Sequence, residues 1–139
     1  MEDLSLHLLD IAENSIRAHA RHIEIGLVED RNQDLLTLTL ADDGEGMSEE
    51  ERRGAAHPFF TTKEGKRIGL GLSLLAQAAQ EAGGGLLIES EKGRGTRVAA
   101  TFRLSHIDRK PFGDIPTTLR CLEASHPEIA FRFTHTVID

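Results

Sequence analysis

The densest chemistry in this sequence lies in the run Ala41-Asp42-Asp43-Gly44-Glu45-Gly46-Met47. Two carboxylates open it, and two glycines one residue apart let the backbone turn where a side chain would clash. A strong acceptor beside glycine-spaced backbone suits a ligand with a donor and a flat approach, such as the amino edge of adenine. The same residue types also make ordinary turns, so the flanking chain has to decide. Two other stretches carry comparable potential. His7, Asp10, Asn14 and Arg17 recur at helical spacing, so a carboxylate, a carboxamide and a guanidinium share one face. Such a face is either simply solvated or able to hold a water, a metal and a phosphate. Gly69-Leu70-Gly71-Leu72-Ser73 reads as a helix start, where free amides and the helix dipole favour a phosphate; glycines there would also permit tight packing.

The elements that must position these groups follow from periodicity. Residues 3–18 read as a helix with Leu4, Leu8, Ile11, Ala12 and Ser15 as its apolar stripe. Residues 22–28 and 35–41 alternate and form a hairpin with one face buried, so Asp42 stands at a strand end. Residues 47–53 form a short helix started by Ser48. Residues 54–68 have no clean period and are expected to form a mobile lid anchored by Phe59 and Phe60. A helix follows with Leu72, Leu75, Ala76, Ala79 and Ala82 on one face, ended by Gly83, Gly84 and Gly85. Strands at 86–90 and 96–104 flank a glycine-containing hairpin turn. In the tail, Asp114 and Pro116 start a helix running to 124, and alternation from Ile129 to Val137 makes a strand.

Length allows one domain with its own core. A net charge of -7 argues against non-specific nucleic-acid binding, which needs a basic surface. No apolar run is long enough to span a bilayer, so no membrane role is expected. With Cys121 as the one cysteine there is no internal disulfide, which fits a cytoplasmic protein; Cys121 is expected as a packed thiol on a helix.

Four motifs in order resemble the ATP-binding domain shared by histidine kinases, gyrase, the large heat-shock chaperone and mismatch-repair ATPases. Residues 9–18, Leu-Asp-Ile-Ala-Glu-Asn-Ser-Ile-Arg-Ala, resemble the N box, and Asp42-Asp43-Gly44-Glu45-Gly46-Met47 the first glycine box. Pro58-Phe59-Phe60-Thr61-Thr62-Lys63 resembles the phenylalanine box, Gly69-Leu70-Gly71-Leu72 the second glycine box, and Gly93-Arg94-Gly95-Thr96 the family's strand turn. No phosphate-loop or dinucleotide fingerprint competes.

The resemblance implies an α/β two-layer (α+β) sandwich, with a mixed, largely antiparallel sheet and helices on one face. It implies ATP and magnesium as cofactors. Asn14 would ligate magnesium and Asp42 accept from the adenine amino group, with Thr96 supporting that edge through water. Arg17 would lie near the phosphates, and Gly69 and Gly71, flanking Leu70 and Leu72, would approach them with backbone amides. Gly44 belongs to the adenine turn, Gly46 and Met47 to the base pocket, and Thr61, Thr62 and Lys63 to the lid. The family's ATPases place a general-base glutamate four residues before the asparagine; here Asp10 stands there, one methylene shorter. Arg67 and Ile68 replace the usual Gly-Thr of the lid, which implies a stiffer one. The helical hairpin that carries a phosphoacceptor histidine has no counterpart in this sequence, so the expectation is a stand-alone catalytic domain, like the anti-sigma-factor serine kinase, that phosphorylates a separate protein. A nucleotide-switched binding regulator and a simple ATPase are the alternatives. The domain is expected to cover residues 1–105. Residues 106–139 would be a packed extension that extends the sheet edge or pairs with a second copy in a homodimer.

Overall fold

A computed structural model describes residues 3–54, 70–106 and 112–139. The elements in chain order are α1 (Leu4–Arg17), β1 (His22–Asp30), β2 (Leu35–Asp42), α2 (Glu49–Gly54), α3 (Leu70–Glu81), β3 (Gly85–Glu91), β4 (Gly95–Arg103), α4 (Ile115–Ser125) and β5 (Ala130–Ile138). The strands form one sheet in the order β3-β4-β2-β1-β5. Three neighbouring pairs are antiparallel, while β5 runs parallel to β1. The architecture is therefore the expected mixed, largely antiparallel sheet with a helical layer.

Helices α1, α2 and α4 each start where side chains satisfy free amides. Asp3 caps α1, its Oδ1 accepting from the Leu6 amide at 3.0 Å and the Ser5 hydroxyl at 2.5 Å. Ser48 and Glu51 make a reciprocal capping box at α2: the Glu51 amide donates to Ser48 Oγ at 3.2 Å and the Ser48 amide to Glu51 Oε1 at 3.0 Å. Asp114 caps α4 through the Thr117 amide, with Pro116 in the first turn.

Register puts Ile23, Ile25 and Leu27 of β1, Leu36, Leu38 and Leu40 of β2, and Val98, Ala100 and Phe102 of β4 on one face, and all are buried. Against that face pack Leu4, Leu8, Ile11 and Ala12 of α1 and Leu72, Leu75, Ala78 and Ala79 of α3. His7, on the helix face read as polar, is also buried. The tail joins the same core: Ile115, Leu119, Leu122 and Ile129 belong to it, and Phe131 and Phe133 pack on its edge. A strand at the sheet edge, rather than a separate layer, is what the tail supplies within the chain. Cys121 is exposed on α4 instead of packed, because Leu119 and Leu122 take the buried face of that helix.

Phe102 is the largest fully buried side chain and stands opposite Leu36 in the β2–β4 ladder. Phe102→Ala removes that volume from the centre of the sheet and is expected to cost about 3–5 kcal/mol, measured as a lower midpoint in urea unfolding at unchanged slope.

Candidate functional site

The sheet's inner face ends in a polar row. Asp42 stands opposite Thr96, and Thr96 opposite Ser90. One residue pair further in, Leu40 and Val98 form an apolar row. Over these two rows lies a cavity of about 640 Å³, roofed on one side by Ile11, Asn14, Ser15 and Arg17 of α1 and on another by Gly46, Met47 and Glu51. Leu72, from the first turn of α3, closes a third side. A size of this order, with an apolar floor and a few convergent polar groups, is that of a small-molecule pocket.

The Asp42 carboxylate is held from both sides. Ser15 Oγ donates to Oδ2 at 2.5 Å, and the Gly44 amide donates to Oδ1 at 2.9 Å. Ser15 is buried, so its hydroxyl has this acceptor to satisfy. The contact ties α1 to the end of β2 and leaves an oriented acceptor facing the cavity. Ser15 counts in the sequence as a member of the apolar stripe, and only the crossing of α1 over β2 shows its partner.

The turn after Asp42 is threaded between two backbones. A Cβ at Gly44 would lie 2.7 Å from the carbonyl oxygen of Ala18, and the Glu45 amide donates to that same oxygen at 2.8 Å. Gly46 has φ +72°, and a Cβ there would run into the Glu91 carbonyl. Both glycines thus answer to protein packing in this loop. Ser90 completes the join: its Oγ accepts from the Met47 amide at 2.8 Å, lies 2.8 Å from Thr96 Oγ1, and donates to the Gly95 carbonyl at 3.1 Å. Ser90 is a site residue that motif reading passes over, since only the β3–β4 register brings it beside Thr96.

Asp43 faces the opposite way from Asp42. It accepts from the amides of Arg21 and His22 at 2.8 and 2.9 Å and lies 2.7 Å from His22 Nδ1. The His22 amide, then the His22 ring and the Arg21 amide, hold its carboxyl down at about 2. Asp43 therefore locks the loop to the start of β1.

The remaining candidates divide by position. Asn14 and Arg17 line the cavity from α1; Arg17 Nη1 reaches Asn14 Oδ1 at 3.4 Å and pairs with Glu13 at 3.5 Å while largely exposed. Gly46, Met47, Leu72 and Thr96 line it as well. Asp10 and Gly71 meet next to it, at the α1–α3 contact, where a Cβ on Gly71 would lie 3.0 Å from Asp10 Cβ. Asp10 thus sits against the first turn of α3, one helical turn from Asn14. Thr61, Thr62, Lys63, Gly69, the Leu70 side chain and the whole of 55–69 lie outside the described residues. Among the described residues no three His, Cys, Asp or Glu side chains gather in a group that could hold a metal.

An α/β layer whose sheet ends in a pinned carboxylate under a helix-roofed cavity is that of a small-molecule-binding domain. A family model described as the histidine kinase-, DNA gyrase B-, and HSP90-like ATPase matches residues 2–106, and the chain belongs to that family. It is an ATP-binding domain of the histidine-kinase-like type. Sporulation kinase E of Bacillus subtilis is 40% identical over 65 residues, covering 47% of this chain and 9% of its own length. The sensor histidine kinase CpxA of Escherichia coli is 33% identical over 96 residues, covering 66% of this chain and 21% of its own. The matched stretch thus spans 9% and 21% of these relatives' length. The ATPase domain of MutL from Aquifex aeolicus, solved with ADP, matches in fold with a TM-score of 0.61 at 18% identity. That match covers 97% of this chain and 60% of the MutL chain, so the shared fold runs beyond residue 106 into the tail. Among the described residues no helix is long and apolar enough to cross a membrane.

Because the Asp43 carboxyl is depressed from an ordinary 3.8 to about 2, its contribution to stability is complete above pH about 4 and disappears as the pH falls toward 2. Asp43→Asn should therefore lower stability at neutral pH and flatten the stability profile between pH about 4 and 2. The loss should be modest, since the side chain is half exposed and screened. Denaturant midpoints at a series of pH values read both effects.

Proposed function

We propose that the chain is a magnesium-ATP-dependent catalytic domain that transfers phosphate to a protein in trans. The observation that supports this best is the Asp42 carboxylate, fixed by Ser15 and Gly44 and aimed into the cavity. In this reading Asp42 accepts from the adenine amino group, Thr96 backs that edge, and Leu40, Val98, Gly46 and Met47 enclose the ring. Asn14 presents its Oδ1 to magnesium, which a hard oxygen ligand suits. A single protein ligand is enough where phosphate oxygens and waters complete the shell. Arg17 then meets phosphate charge from the α1 side. Gly69, Leu70, Gly71 and Leu72 bring the amides of the α3 start toward the phosphates, and Thr61, Thr62 and Lys63 cover them.

Bound magnesium-ATP supplies the activated phosphoryl group, and positioning with charge stabilisation does most of the catalytic work in such sites. Asp10 is the residue to orient the acceptor and receive its proton, because it shares a face with Asn14 and abuts the first turn of α3. Work in the cytoplasm, on a signalling protein, belongs to this reading. So does self-association, with the C-terminal strand as the place where a second copy joins.

Asp42→Asn turns an acceptor toward a donor and should weaken ATP binding roughly ten- to a hundredfold, the worth of a hydrogen bond to a charged group. Calorimetry on the folded variant measures it, and unchanged affinity would remove the adenine assignment. Asp10→Asn should keep ATP affinity and lower turnover roughly 10²–10⁴-fold, the range of general-base help. Label from ATP found on an added protein supports transfer, and label in free phosphate alone makes the domain a simple ATPase. If neither protein turns over with any acceptor, a nucleotide-switched binding module replaces the kinase reading.

A further inference from the structure

Among the described residues, β5 is an edge strand with little to protect it. It runs nine residues, Ala130–Ile138, without proline, lysine or acidic residue, and Arg132 is its one fixed charge. The opposite edge, β3, is shorter and carries Glu89 and Glu91. Charges of that kind are how natural sheets discourage edge pairing. Val137 and Ile138 are 45% and 41% exposed at the β5 end.

The hydrogen-bonding direction of β5 is fixed by β1. The Ala130 amide donates to the Arg21 carbonyl at 2.8 Å, and the Arg31 amide donates to the Ile138 carbonyl at 2.8 Å. In a parallel ladder with partners His22↔Ala130 through Asp30↔Ile138, the even-numbered residues of β5 face β1. The N–H and C=O groups of Phe131, Phe133, His135 and Val137 therefore point away from the sheet.

These groups are complementary to themselves in one antiparallel register. Setting Phe131 opposite Val137 of a second copy, and Phe133 opposite its His135, lets every outward N–H and C=O find a partner. A shift of two residues either way leaves one end unpaired and sets Phe133 or His135 against its own copy. In the full register Thr134 faces Thr134, Arg132 faces Thr136 and Ala130 faces Ile138, so no like charges meet and apolar ends cover each other.

We propose that β5 pairs antiparallel with the β5 of a second copy about a twofold axis through Thr134, making one continuous sheet across two chains. This gives a register to the self-association reading and rests on it, but it uses nothing in the nucleotide site. A second copy is favoured over a foreign strand because the complementarity is of this strand with itself.

Thr134 is exposed on the open face of the sheet, its Oγ1 near Gly26, so charged side chains fit there without touching the core. Sedimentation of the full chain over a micromolar to sub-millimolar series should show a dimer. Thr134→Lys and Thr134→Glu each set like charges together on the axis and should raise the dissociation constant at least about tenfold. An equimolar mixture of the two should recover the dimer as a heterodimer. Circular dichroism and ATP affinity report that each variant is folded. A parent that stays monomeric throughout overturns both the pairing and the self-association reading while leaving the nucleotide site standing. A dimer that survives both variants, or is not rescued by mixing, overturns the register.

Discussion

One hydrogen bond joins the two layers at the place where the chemistry lies. Ser15 sits on the buried face of α1, and Asp42 ends β2; their contact spans 27 residues of sequence at 2.5 Å. The carboxylate needs its partner because a buried-side acceptor without a donor costs free energy. The hydroxyl needs the carboxylate for the same reason. With the Gly44 amide on the other oxygen, the pair fixes the angle between helix, strand end and loop. The cavity roof, its polar row and the loop that carries Met47 all inherit their positions from that angle.

The loop itself is a wedge between α1 and the β3–β4 turn. The Ala18 carbonyl takes the Glu45 amide, the Glu45 carbonyl takes the Gly93 amide at 2.6 Å, and Ser90 takes the Met47 amide. Two separate segments, the end of α1 and the β3–β4 hairpin, therefore meet the loop, and a side chain at Gly44 or Gly46 has nowhere to go. The glycine spacing that looks suited to a ligand is also what lets the protein hold its own loop rigid. A loop held this way keeps its shape before any ligand arrives.

Much of this was legible in the sequence, and the parts that were not share a cause. Ser48 and Asp114 read as helix starts because capping is local chemistry. Alternation in β1 and β2 read as strands because one face of each is buried, while β5 alternates with only Phe131 and Phe133 partly covered. Asp42 and the glycines stood out through residue type and spacing. Ser15 and Ser90 did not, because a serine inside an apolar stripe or at a strand end has no local mark of its partner. Their roles exist only once α1 crosses β2 and the β3–β4 register is set. The buried state of His7 is of the same kind, since helical spacing places it beside Asn14 but says nothing of the neighbouring layer. The parallel placement of β5 also depends on strand order, which no stretch of sequence encodes alone.

That placement bears on how the molecule folds. The β1–β5 ladder joins residues 108 positions apart, from His22 and Ala130 to Asp30 and Ile138. Loop closure over so long a span is slow to be rewarded, so topologies rich in such pairings fold late and slowly. The hairpin of β1 and β2 is local and can form first, with its β1 edge still open. During that interval the loop after Asp42 already has its strand, while the sheet lacks its last member. Folding speed is then governed by how quickly β5 returns to β1, and an open β1 edge in the meantime is the point at which a neighbouring chain could pair in its place.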